Sequence, residues 1–156
     1  MLFETSREKN GFYYFEPSKN MGRLGSLKMA VVNNKLVPLR KLVSVNPGEV
    51  VMADYPAAVS VYYGQWYALV RFLREANYGK RLGNYHQLLM GGLRGDWPLE
   101  GDAKRIAADR NMPQTLRWNR VVGLGLFKHY IEDDFSRIEK EYAAYCRKIV
   151  YHVYFE

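Results

Sequence analysis

The chain has 156 residues, a length that suits one domain able to bury roughly two-thirds of the surface its unfolded form exposes. Its 48% hydrophobic and 25% charged residues exclude a disordered or collagen-like chain, and the single cysteine, Cys146, excludes an intramolecular disulfide framework. The net charge of +7 is the one compositional pointer to a partner, but no run of basic residues exceeds two, so a dispersed basic surface is expected rather than a nucleic-acid site.

Met1 to Asn10 carries Glu4, Arg7, Glu8 and Lys9 with no apolar core, and no stretch approaches 18 apolar residues. Neither a signal peptide nor a membrane-spanning segment is therefore expected. Phe12 to Glu16 is aromatic and lies between Gly11 and Pro17; its length leaves strand and helix end equally open. Asn20 to Asn33 reads as a helix through Met21, Leu24, Leu27, Met29, Val31 and Val32. Pro38 is expected at the first position of a short helix carrying Leu39, Leu42 and Val43, and Asn46-Pro47 repeats the device with Asn46 as N-cap.

Ala57 to Ala76 is the longest periodic run, a buried helix whose wide stripe includes Val59, Tyr62, Tyr63, Trp66, Leu69, Val70 and Leu73. Tyr78-Gly79 should break it. A helix from Asn84 to Leu93, a loop at Gly95-Asp96-Trp97-Pro98 and a short helix from Gly101 to Arg110 follow. Pro113 to Tyr130 reads as a further helix, with Gly123 and Gly125 allowing a close helix crossing. The last helix should hold Glu132, Asp133 and Asp134 in its first turn and Arg147-Lys148 in its last, with Phe135, Ile138, Tyr142, Tyr145 and Ile149 as its core stripe. The expected fold is mostly α, a single compact domain of about six to eight helices spanning residues 10–150, with 1–9 and 151–156 as terminal extensions.

Chemistry-bearing residues are few. His86, His129 and His152 stand too far apart for two to share one helical face, so an HExxH zinc motif is absent and the chain itself is expected to bind no metal and no cofactor. Cys146 reads as a packed or half-exposed helix cysteine rather than a nucleophile. No glycine follows a strand with phosphate-loop spacing. The tyrosines remain, with Tyr62 and Tyr63 near the start of the longest helix; a phenol there either packs or donates to a developing oxyanion.

The run from Tyr62 to Leu73, YYGQWYALVRFL, resembles the YxxxWxLVxFL signature of the peptidase-MA-like families, zinc peptidases of the gluzincin group. Tyr78-Gly79-Lys80-Arg81, then Tyr85-His86-Gln87-Leu88-Leu89, Gly95-Asp96-Trp97-Pro98 and Trp118-Asn119 continue the likeness in order, to about Arg147. Only the C-terminal, helical half is matched, and Gly11-Phe12-Tyr13-Tyr14-Phe15-Glu16 looks like the remains of an EGxAxYFE motif, with Asn10 where the family has its zinc-ligating glutamate.

The resemblance implies a helical part of a zinc metallopeptidase-like protein, not catalytic by itself. Tyr62 matches the oxyanion-stabilising tyrosine, zinc is held in intact relatives, and the partner is a peptide or a missing N-terminal metal-binding half. The alternative is a stand-alone helical module that binds a peptide or protein through an aromatic groove of Tyr62, Tyr63, Trp66 and Trp118. Nucleic acid is a third and weaker expectation, and a membrane is not expected.

Overall fold

The computed structural model describes residues 5–52, 57–109 and 118–151. A hairpin of β1 (Ser6–Lys9) and β2 (Phe12–Phe15) leads through a single 3-10 turn (Pro17–Lys19) into the helices. These are α1 (Met21–Val32), α2 (Leu39–Leu42), α3 (Pro47–Val51), α4 (Ala58–Gly79), α5 (Leu82–Arg94), α6 (Gly101–Ala108), α7 (Leu124–Tyr130) and α8 (Phe135–Tyr151). A π-helical turn, Asn119–Gly123, runs directly into α7. The fold is mostly α, as the periodicity predicts.

Local chemistry sets the ends. Asn10 and Gly11 both take positive φ, 56° and 78°, the pair of left-handed residues that a two-residue hairpin turn needs; this settles Phe12–Phe15 as a strand. Asn20 caps α1 by accepting from the Arg23 N–H at 3.2 Å. Asn46 and Glu49 form a reciprocal capping box over α3, with Pro47 at its first position. Pro38 is itself the residue before α2, extended at ψ 137°, and not its first helical residue. Helix α4 breaks where Ala76 turns extended and Asn77, Tyr78 and Gly79 all take positive φ, close to the predicted Tyr78-Gly79 stop.

Two expected ends need correction. Glu132, Asp133 and Asp134 precede α8 and are not in its first turn; Asp134 caps the helix instead, accepting from the Arg137 N–H at 3.0 Å. From Asn119 the segment toward Tyr130 opens as a π turn, and its expected start at Pro113, with Leu116, lies outside the described residues. Arg110, the expected end of α6, also lies outside them.

The main core forms where α1, α4 and α8 meet. Leu24, Leu27, Ala68, Leu69, Phe72, Ile138 and Cys146 are all at most 1% exposed there. Gly64 makes the α1–α4 approach possible, since a Cβ on it would come within 3.1 Å of the Leu27 nitrogen and 3.2 Å of the Arg23 carbonyl. Inside the apolar stripe of α4 sits Gln65, fully buried, whose side chain accepts from the Val37 N–H at 2.8 Å and donates to the Val37 carbonyl at 3.0 Å. It thereby satisfies an irregular strand of backbone that no helix or sheet serves. The Tyr142 hydroxyl donates to the Gln65 carbonyl at 2.8 Å, tying α8 to α4 at the same level. A second, small core of Ile106, Val122 and Leu126 lies apart, and Leu88 and Tyr130 pack against both.

Candidate functional site

Between the two cores lies a cavity of about 670 Å3. Helix α4 supplies Tyr62, Trp66, Leu69, Val70 and Leu73, α5 supplies Tyr85, Leu88, Leu89 and Leu93, and the π turn with α7 supplies Asn119, Leu126 and Phe127. Val43, Val45 and Pro47 close one end and Trp97 with Trp118 another. These side chains come from elements far apart in sequence, whose apolar faces meet around the cavity without filling it.

The placement of Trp97 explains a glycine pair. Its indole lies flat against α5 where Gly91 and Gly92 offer no side chain, so that a Cβ on either would stand 2.8 Å from the ring. The indole Nε1 donates to the Leu88 carbonyl at 3.2 Å, and the ring meets that of Trp118 at 6.1 Å between centroids. Gly123, expected to serve a helix crossing, instead faces the Val43 carbonyl, 3.2 Å from its absent Cβ.

Polar groups gather at the Val45 end. The Tyr62 hydroxyl and the Asn119 amide both donate to the Val45 carbonyl at 3.3 Å. Trp66 packs edge-on to Tyr62, with ring centroids 6.3 Å apart. Its Nε1 lies near enough to the phenol to favour the ionised form slightly, yet finds no acceptor in hydrogen-bonding geometry and is buried without one. Burial nonetheless dominates and raises the Tyr62 pKa, with the Tyr63 ring and the Glu49 carboxylate adding to the rise. The phenol therefore stays protonated through neutral pH and acts as a donor. Tyr85, across the cavity, is raised by burial too, against a lowering pull from Arg74.

Of the four aromatics expected to form a groove, Tyr62, Trp66 and Trp118 do line this cavity. Tyr63 does not: its ring lies under the Arg23 guanidinium, 5.1 Å away, on the α1 side of the helix. Tyr62 itself is 6% exposed. Sequence reasoning missed Trp97, Asn119 and the leucines of α5 as wall residues; the one legible signal was the Gly91-Gly92 pair ahead of a tryptophan, which marks a flat surface for a ring.

Other chemistry-bearing residues stand apart. Cys146 is buried against α4, and burial pushes its thiol up to about 12 despite a lowering contact from Tyr142. That is the opposite of an activated nucleophile. His152 is outside the described residues, and among those described no three His, Cys, Asp or Glu come together in a way that could hold a metal. Asn10, matched by resemblance to a zinc-ligating position, occupies the hairpin turn. No helix of the described residues is long and apolar enough to cross a membrane. No family model, no curated protein and no solved structure matches this chain.

Proposed function

We propose that the chain is a helical binding module whose cavity takes the apolar side chains of a peptide segment or partner helix. The observation that supports this reading is the cavity itself. Its volume falls in the range of sites that enclose sizeable ligands, and its wall is aliphatic and aromatic except for the donors gathered at Val45. Apolar wall of this kind gains from covering at roughly 25 cal/mol per Å2, and the exposed Leu89 and Leu93 at its rim extend it outward. An amphipathic helix presenting leucine or phenylalanine at i and i+4 has the matching spacing.

All three tryptophans of the chain line the cavity, so their emission reports occupancy directly. Titration with such a peptide should give a saturable blue shift. Leu89→Glu and Leu93→Glu, which place charges at the rim, should each weaken the complex about tenfold and leave the melting temperature unchanged. No saturable change up to millimolar peptide overturns the proposal.

The peptidase-like reading is a second proposal, favoured by one observation: the Tyr62 phenol lines the cavity and is kept in its donor form by burial. Residues that fit zinc do not come together among those described, so no hydrolytic step is derived through a metal. An in-frame HExxH in the coding DNA roughly twenty residues before Asn10 supports this reading; a stop codon in that frame overturns it.

A further inference from the structure

We propose that the outer edge of β2 pairs with the same strand of a second copy of this chain, forming a four-stranded antiparallel sheet across a two-fold axis. In the hairpin register, Arg7 faces Tyr14 and Lys9 faces Phe12. The Glu16 N–H donates to the Thr5 carbonyl at 3.4 Å, which marks residues 5 and 16 as a bonded pair. Antiparallel alternation then makes 7 with 14 and 9 with 12 bonded pairs as well, and turns the N–H and C=O of Tyr13 away from β1.

The two edges of this hairpin differ in the way that decides whether an edge is left alone. β1 carries Arg7, Glu8 and Lys9, the charged residues that ordinarily discourage pairing. β2 has neither charge nor proline from Phe12 to Phe15, and Phe12, Tyr13 and Tyr14 are 69%, 69% and 52% exposed. A two-stranded hairpin is marginal by itself, so additional strands stabilise it.

Charge selects the occupant. The chain as a whole carries +7, but at the hairpin Arg7, Lys9 and Lys19 stand among Glu8 and Glu16, and Glu16 pairs with both Arg7, at 3.4 Å, and Lys19. A polyanion would meet two carboxylates here, whereas a second hairpin meets almost no net repulsion. With the two-fold axis at Tyr13, the Tyr13 residues of the two copies exchange hydrogen bonds and Phe12 of one copy lies opposite Tyr14 of the other, giving aromatic cross-strand pairs.

Sedimentation equilibrium of the full chain over a micromolar to millimolar range should show a weak monomer–dimer equilibrium. Tyr13→Pro removes an outward N–H and no hairpin bond, and should raise the dimer dissociation constant at least about tenfold. Ser6→Pro, which removes an outward N–H from the charged edge, should leave it unchanged. Tyr13→Lys brings like charges together on the axis; it should also weaken the dimer, and added salt should restore most of the loss. A monomer at every concentration, or a dimer that responds equally to Ser6→Pro and Tyr13→Pro, overturns the proposal. So does a dimer indifferent to Tyr13→Lys, or one in which salt restores none of the loss.

Discussion

The two sides of α4 are both apolar, yet they do different work. On the side facing α1 and α8, Ala68 and Phe72 are closed in by Leu24, Leu27, Ile138 and Tyr142, and a missing Cβ at Gly64 sets the helix spacing. On the other side Trp66, Val70 and Leu73 line open volume. A hydrophobic stripe alone does not say which of these two fates its residues meet. What separates them is whether a second element arrives close enough to exclude the space, and that depends on small residues and on caps elsewhere in the chain.

Substitutions on the closed side should therefore cost stability, and those on the open side should cost binding. The largest effect is expected from Phe72→Ala, which empties a fully buried site beside Tyr142, Tyr145 and Arg81 and should cost about 4 kcal/mol in urea unfolding. A loss under 1 kcal/mol would mean that the closed side is not close-packed. Gly64→Val should follow at about 3 kcal/mol, since its Cβ meets backbone atoms of Leu27 and Arg23 that cannot turn aside. If the variant is as stable as the parent, α1 and α4 can separate without penalty and the contrast between the two sides fails.

Alkaline titration sharpens the same contrast at smaller amplitude. Burial raises the folded pKa of Cys146 to about 12 and that of Tyr142 well above its usual range. A raised folded pKa stabilises the protein below the unfolded value and loses that contribution as pH rises toward the folded one. For Cys146 the loss should begin near pH 8.5 and continue to about pH 12, with Tyr142 joining above about pH 10. Stability that is flat from pH 8 to 11 would contradict the burial of both groups. In the same range a thiol reagent should modify Cys146 only as fast as the protein unfolds.

Tyr62→Phe should give the smallest change, under about 1 kcal/mol. The Val45 carbonyl keeps the Asn119 amide as a donor when the phenol is lost, so no buried acceptor is stranded. A loss of 2 kcal/mol or more in denaturant melts would place Tyr62 with the closed side of the helix and remove it from the wall of a site.

Much of the fold was legible because it is encoded locally. Asn20, the Asn46-Pro47 pair, the break near Tyr78-Gly79 and the long stripe of α4 each act through neighbours a few residues away. Where the reading failed at this level, a local alternative of similar cost was available. Proline suits an extended residue before a helix as well as the first residue inside it, and three successive acidic residues can precede a helix and cap it rather than enter it. The strand of the hairpin could not be separated from a helix end by period over so few residues, and the Asn10-Gly11 turn decided it.

By itself, then, the sequence determined the helices, most of their ends and part of the face each buries, because period and capping are properties of adjacent residues; Met29, Val32 and Val59 belong to the expected stripes and yet stay exposed. The tertiary structure decided that Tyr62, Trp66 and Trp118 face one cavity while Tyr63 turns to Arg23, that Gln65 belongs in the core, and that Trp97 lies on a glycine pair. Each depends on the distance between elements far apart in the chain. That distance is set by shape at the contact, which a stripe of apolar residues does not specify.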